Sequence, residues 1–417
     1  MQLHFRHRLV GMVGNILEHY DNALFGLLAP FIAPLFFENT DPLTALILTY
    51  GMLPLGILMR PLGSLFFGWI GDHFGRTRAL FCSLIGMACA TIAMGCLPTY
   101  AQAGVYAPLF LALGRVVQNF CAAGESIGGA IFVLEHTESS KRNFMSSIYD
   151  ATSIGGILLA SALVTLFSFY GDVCKSWRLL FWLGAISAIF GIFLRMRAKE
   201  GKEYVQSQKS DQGHLFALIK EHRNALLAIT CVSGFSYTTY SLAFTLMNGY
   251  VPLATPLSKT LVMGTNTLLL VLNMCMLPLF GYIATKKGRE WIMSKAALAS
   301  VFCAVPLFYM LQDASLGRVI AARLIIVTLG VAFSATYHAW TQERVPPSVR
   351  YTILSLGYAL GSQLIGAPTA AISLWLYKKS EWFGAPALYL MFTAALAAYF
   401  IRKYATAQLN KTSLSDG

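Results

Sequence analysis

Arg115, Gln118, Ala122 and Glu125 follow one another at three- and four-residue steps, so a helix carries all four on one face. An arginine and an amide can grip a carboxylate through charge-assisted hydrogen bonds, and a carboxyl beside them can hold a proton. Their surroundings are apolar. Val105 to Arg142 reads VYAPLFLALGRVVQNFCAAGESIGGAIFVLEHTESSKR, and a bilayer-crossing helix needs about 20 such residues. An ion at the bilayer centre costs about 3 kcal/mol or more, so these groups persist only against protein or a water-filled cavity. This helix is read as one wall of a polar pathway.

A second set lies in VGNILEHYDNALFGLLAPFIAPLFF. Glu18 and Asp21 are three residues apart within the first apolar run, and Asn15 precedes Glu18 by one turn on the same face. Burial favours the neutral carboxyl, so the pair could take up and release a proton. Alternatively, both pair permanently with Arg115 or another cation and serve only packing. The matching part of the seventh apolar run, GFSYTTYSLAFTLMNGY, has no carboxylate. Proton-capable groups are thus concentrated in the first half.

Positioning these groups takes a helical frame embedded in lipid. The 417 residues are 56% hydrophobic and 12% charged, with a mean hydropathy of +0.59; soluble domains carry about twice that charge. Twelve apolar runs are long enough to span: 9–37, 43–71, 79–98, 105–135, 143–170, 177–197, 224–250, 258–285, 291–311, 317–341, 350–377 and 383–403. An even count puts both termini on one side. Loops there hold Arg6, Arg8, Arg76, Arg78, Lys141, Arg142, the basic stretch from Arg195 to Arg223, Lys286 to Arg289, Arg344 and Arg350, against far fewer cations on the other side. That side is cytoplasmic by the positive-inside rule. The net charge of +12 is thereby explained without nucleic acid. No cleavage site of a signal peptide follows the first run. Cys82, Cys89 and Cys96 recur every seven residues, which is read as packing. No Cys/His cluster has metal spacing and no nucleotide-binding GxxxxGK[ST] loop occurs, so neither metal nor cofactor is expected.

The connection over 198–223 is polar and charged, and it divides six spans from six. The expected organisation is a first bundle over 1–197, a cytoplasmic linker over 198–223 and a second bundle over 224–417. GWIGDHFGR at 68–76 corresponds to GYIATKKGR at 281–289, 213 residues on. Arg115, Glu135 and Arg142 correspond to Arg323, Glu343 and Arg350, 208 residues on. Two six-helix bundles related by an internal repeat, with a site between them, are the architecture of secondary transporters. Asp72 at a helix end, with Arg76 four residues on, suits a breakable ion pair that latches helix ends together. Arg60 lies inside the second run and its role is left open. Asp150 is read as a solvated helix-end charge. Arg323, the repeat partner of Arg115, either contacts an anionic solute or lies nearer water. Lys295 and His338 are expected to snorkel, and Trp177, Trp182, Trp291, Trp340, Trp375 and Trp382 suit interfacial belts.

The stretch RPLGSLFFGWIGDHFGRTRAL resembles the signature loop of the major facilitator superfamily, and GNILEHYDNALFG, RVVQNFCAAGESIGGAIFVLEH, SWRLLFWLGAI and VRYTILSLGYALG resemble its metabolite:proton symporter family. That family includes proline/betaine, α-ketoglutarate, shikimate and citrate carriers. The resemblance touches essentially every span. It implies the major facilitator fold and gating by Gly68, Asp72, Gly75 and Arg76. It also places the first-helix motif on Glu18 and Asp21, and the fourth-helix motif on Arg115, Gln118 and Glu125. His19 stands where the family has Trp, Asn22 where it has Phe, and Asn119 and Ala123 where it has glycines. These departures lie near the expected cavity, so they bear on solute choice. The osmosensing members' C-terminal coiled coil has no counterpart here, which points away from that role.

The expectation is inward symport of a small polar metabolite with protons, by alternating access. The metabolite is a zwitterion such as proline or betaine, or else an organic acid such as α-ketoglutarate. Arg115, Gln118, Arg323 and Asn15 are expected at the solute, and Glu18, Asp21 and Glu125 at the coupling proton. A monomer in the cell inner membrane is expected, with both termini cytoplasmic and with solute, proton and lipid as its only partners. A membrane-embedded enzyme lacks a nucleophile, metal cluster or cofactor motif of suitable spacing. A transport-dead sensor on the same scaffold lacks a signalling domain.

Overall fold

The computed structural model describes residues 2–37, 48–49, 56–170, 173–195, 215–247, 250–251, 255–257, 259–312 and 315–415. Most of the expected linker (196–214) and the first part of the second span lie outside the described residues. Among those residues all regular structure is helical, which is what hydrocarbon demands, since a helix satisfies its own backbone. The main helices are α1 (Gln2–Phe36), α2 (Gly56–His73), α3 (Arg76–Gly95), α4 (Tyr106–Glu135), α5 (Arg142–Tyr170) and α6 (Val173–Arg195). They are followed by α7 (Arg223–Tyr240), α8 (Lys259–Lys287), α9 (Arg289–Tyr309), α10 (Leu316–Ser334), α11 (Arg350–Leu360) and α12 (Ala385–Ser415). Each of the twelve expected runs carries one of them. Nine of the described helices are long and apolar enough to cross a membrane.

Local irregularities fall in the second half. α7 continues as a π-helical turn, Ser241–Leu246, and α11 as another, Gly361–Gly366, before resuming over Thr369–Ser380. α10 breaks at Ala335 and Thr336 and resumes as Tyr337–Gln342. The turn in α11 falls on Gly361 and Gly366, glycines that favour bending.

The chain forms two compact units. The first comprises Met1–Thr137, Thr152–Gln212 and Pro347–Leu356; the second comprises Glu138–Ala151, Gly213–Pro346 and Gly357–Gly417. Each unit thus contains the opening turns of a helix whose remainder belongs to the other. Within the first unit, α2 lies so close to the start of α11 that a Cβ on Gly68 would come 2.7 Å from Thr352 Cα, and one on Gly71 would run into the Tyr351 ring. Within the second, a Cβ on Gly281, 213 residues after Gly68, would run into the Ser147 side chain near the start of α5. The same glycine of each repeat therefore seats a helix start. Gly75 (φ 112°) and Gly288 (φ 88°), again 213 apart, turn the chain into α3 and α9 with a backbone that L side chains rarely adopt.

Gly71→Ala is expected to destabilise the fold by about 1–3 kcal/mol through overpacking against Tyr351. Thermal unfolding in detergent checks this, and Tyr351→Ala in the same chain should recover part of the loss. An unchanged melting temperature in the single variant would contradict the contact.

Apolar packing in the first unit surrounds the ions. Tyr20, Leu24, Phe25, Leu28, Ile32 and Phe36 of α1 pack with Leu111, Trp177 and Phe181, while Leu17 packs with Phe67, Leu84, Met87 and Ala188. Glu18 and Asp21 sit between these clusters along α1. Trp177 and Trp340 are wholly buried, against the interfacial placing expected for them. Trp177 meets Phe36 and Phe181 at 5.7 and 6.0 Å between ring centroids. Trp182, Trp291, Trp375 and Trp382 are exposed as expected. Cys82, Cys89 and Cys96 do share a face, but it is the exposed one, so they are not core packing.

Candidate functional site: a buried ionic core in the first unit

α1 brings Asn15, Glu18 and Asp21 inward, α2 brings Arg60, and α4 brings Arg115, Gln118, Asn119 and Glu125; all are buried. The three- and four-residue steps of α4 therefore do place one polar face inside the protein. The ions fall into two chains of contacts. In the first, Arg115 Nη1 donates to Gln118 Oε1 (3.0 Å), Gln118 Nε2 to Thr91 Oγ1 (3.0 Å), and Thr91 Oγ1 to Asp21 Oδ2 (2.7 Å). Arg115 also lies over the Phe25 ring at 4.3 Å, within electrostatic reach of Asp21. Among the described residues Asp21 Oδ1 receives no hydrogen bond.

The second chain centres on Glu18. Its Oε1 accepts from Ser126 Oγ (3.0 Å), Asn22 Nδ2 (3.3 Å) and Arg60 Nη2 (3.4 Å). Oε2 lies 3.0 Å from His19 Nδ1. Arg60 Nε reaches Asn119 Oδ1 at 3.5 Å, and Asn119 Nδ2 donates to the Arg115 carbonyl (2.9 Å). His19, Asn22 and Asn119, three of the four departures from the family pattern, thus all touch the Glu18–Arg60 pair. Asn15 donates to Thr152 and Ser153 hydroxyls of α5, 2.8 Å each. Glu125 is fully buried, two turns on from Gln118 and one from Ala122. Glu18 and Asp21 lie beside two guanidiniums, Arg60 and Arg115, and Glu18 also meets the His19 ring.

The latch residues form a separate network at the turn from α2 to α3. Asp72 pairs with Arg76 and also accepts from the backbone N–H of Tyr351 (3.1 Å) and Thr352 (2.8 Å), capping the N-terminus of α11. Arg76 Nη2 donates to the Pro347 carbonyl (2.6 Å) and lies 3.6 Å from Glu135, which Arg350 meets at 3.1 Å. Tyr351 Oη donates to the Gly124 carbonyl. All these residues lie in the first unit.

Among the described residues the second unit has no such core. Arg323 is fully buried, and it donates to the carbonyls of Val262 (3.3 Å) and Ala243 (3.2 Å), to Thr265 Oγ1 (3.1 Å) and to Asn266 Oδ1 (2.6 Å). It staples the π-helical turn after α7 to α8, which accounts for its burial without a solute. Arg323→Met is accordingly expected to cost about 1–3 kcal/mol for each acceptor left unsatisfied, while the affinity for solute stays within about twofold, the span of a few tenths of a kcal/mol. A large loss of affinity at unchanged melting temperature would return Arg323 to the site.

Asp150 and His338, read as a solvated charge and a snorkelling side chain, instead pair with each other. His338 Nε2 lies 3.3 Å from Asp150 Oδ1, and its ring meets Tyr149 and Tyr337. Sequence reasoning also left out Thr91 and Ser126, the hydroxyls that link Asp21 and Glu18 to α3 and α4. A hydroxyl inside a membrane helix commonly returns its hydrogen to its own backbone, so nothing marked these two.

Helical throughout and carrying an ionic core that lipid could not hold, the molecule has the build of a multi-pass membrane transporter. The chain belongs to the Major Facilitator Superfamily, whose sequence pattern matches residues 12–371. It is similar to the glycine betaine/proline/ectoine/pipecolic acid transporter OusA of Dickeya dadantii, with 29% identity over 92% of this chain and 80% of that one. The proline/betaine transporter of Salmonella typhimurium matches at the same identity and coverage, 29% over 92% and 80%. Its fold is that of the proton:xylose symporter XylE, with a TM-score of 0.76 at 17% identity over 97% of this chain and 96% of XylE. The protein is a transporter, not an enzyme.

Proposed function

We propose that this protein is a proton-coupled symporter of a small zwitterion of the proline or betaine type. It works by alternating access as a monomer in the bacterial inner membrane, with both termini cytoplasmic. The two repeats, 1–197 and 224–417 with the linker 198–223, act as its moving parts. The observation that carries the reading is Asp21, a buried carboxylate with one oxygen that nothing among the described residues hydrogen-bonds, in a core that also holds Glu18, Arg60 and Arg115. A proton on Asp21 removes one buried charge, and rocking the helices around a less charged site costs less in the membrane interior. A zwitterion adds no net charge and preserves the balance, whereas a dicarboxylate adds two negative charges and calls for further protons. The names of the relatives support the same solute class.

Within this reading Asp21 carries the coupling proton, because among the described residues it accepts one hydrogen bond, from Thr91, whereas Glu18 accepts three, from Arg60, Ser126 and Asn22; each keeps one oxygen without a donor. Arg115 serves as counter-ion to Asp21, with Gln118 and Thr91 relaying between them. Glu125 is the second candidate for the proton. Gly68, Asp72, Gly75 and Arg76 form the gate: while their network holds, the start of α11 stays seated on α2. A competition screen of labelled L-proline and glycine betaine uptake against amino acids, betaines and organic acids tests the solute class. Competition by zwitterions is expected. Competition by dicarboxylates alone would replace this reading with an α-ketoglutarate-like permease.

A further inference from the structure

We propose that Arg60 is the residue that receives the solute's carboxylate; this deepens the symporter reading and rests on it. Arg60 sits on α2 between Gly56 and Gly63, one turn to either side. A Cβ on Gly56 would come 2.9 Å from Asn119 Oδ1, and one on Gly63 would run into the Phe120 carbonyl. The two glycines press α2 against α4, and Arg60 extends between α4 and Glu18 of α1.

Among the described residues Arg60 makes the longest hydrogen bonds of the buried guanidiniums. Its contacts to Glu18 (3.4 Å) and Asn119 (3.5 Å) stand at the outer limit of hydrogen bonding. Among the described residues nothing accepts from Nη1, yet the side chain is nine-tenths buried, with a relative exposure of 10%. Glu18 does not depend on it, having Ser126, Asn22 and His19 as well. Arg115 is taken up by Gln118 and Phe25, and Arg323 by four acceptors of its own unit. Beside Arg60 the core opens. His19 retains 23% side-chain exposure and Asn22 is half-buried, whereas Asn15, Glu18 and Asp21 are closed off.

A carboxylate arriving past His19 and Asn22 can accept parallel hydrogen bonds from Nη1 and Nη2, the paired geometry that guanidinium favours. Nη2 leaves Glu18 as it does so. The solute's cationic end then lies toward the carboxylates Glu18 and Asp21. No bond is made or broken. His19, Asn22 and Asn119 set the approach to this pair, so they tune which zwitterion fits.

The test uses the full chain in lipid nanodiscs, with binding of L-proline and glycine betaine compared with that of L-prolinamide, which lacks the carboxylate. The unmodified protein is expected to prefer L-proline over L-prolinamide by about 10- to 100-fold, the worth of a charge-assisted hydrogen bond. Arg60→Gln is expected to erase that preference and to leave L-prolinamide binding unchanged. Retention of the full preference in Arg60→Gln would overturn the proposal. Should that variant fail to fold, Arg60→Lys decides: a point charge without the fork is expected to lose about tenfold of the preference, and an unaltered preference counts against it. If the unmodified protein binds no carboxylate solute among amino acids, betaines and organic acids, the symporter reading falls first and this assignment with it.

Discussion

An Asp21→Asn protein should exchange labelled for unlabelled solute across a liposome membrane and yet fail to concentrate it against a gradient. Exchange needs only that the loaded site turn over, and asparagine mimics the protonated carboxyl that the turning site requires. Net accumulation needs the proton to leave on the far side, which asparagine does not allow. Each unit of imposed pH gradient is worth about tenfold of accumulation per proton, so the expected loss is tenfold or more at one unit. Asp21 is placed first because, among the described residues, Thr91 alone donates to it, on one oxygen. Glu125→Gln is the companion measurement. Full gradient-driven accumulation by Glu125→Gln would remove Glu125 from coupling, and full accumulation by Asp21→Asn would remove Asp21.

Arg76→Gln should be the most destabilising single change at the gate. Arg76 lies between Asp72 and Glu135 with essentially no solvent exposure, and removing one partner of a buried ion pair costs about 3–5 kcal/mol. The effect should be local as well as global. Asp72 holds the amides of Tyr351 and Thr352, so losing its counter-ion loosens the cap of α11, and those amides should exchange hydrogen with water faster. Hydrogen exchange over 350–356, with the melting temperature alongside, measures both. Protection equal to that of the unmodified protein would show that the seat of α11 does not depend on Arg76.

Which parts of this arrangement could be read from residues follows from which signals are local. Glu18, Asp21, Arg115, Gln118 and Glu125 announce themselves because each breaks an apolar run and each shares a helix face with another. The latch loop was visible through Asp72 and Arg76, and its copy 213 residues on through Gly288 and Arg289. What Asp72 holds was not, because its partners are the backbone amides of Tyr351 and Thr352, and an amide has no residue type. Arg350 and Glu135 had each been singled out as repeat positions, but their pairing is long-range. Arg60 stood in plain view with its role open; Gly63, one turn on, signals close helix contact by its residue type, and Gly56, one turn before, was the overlooked sign that its helix lies tightly on another. Trp177 and Trp340 misled because the amphipathic ring that suits an interface also fills a core. Arg323 takes the Ala243 carbonyl inside the π-helical turn of α7, a contact 80 residues apart in the chain, whereas the turn of α11 runs between Gly361 and Gly366, residues that favour bending by type.

The account depends on a buried carboxylate, Asp21 first, being neutralised by a proton that travels with the solute. The most direct measurement is simultaneous proton and solute flux into liposomes holding the purified protein, with and without an imposed acid-outside gradient. Accumulation of L-proline or glycine betaine only under the gradient, with one proton entering per solute, is the predicted result. Solute accumulation that is indifferent to the gradient, with no accompanying proton entry, would contradict it.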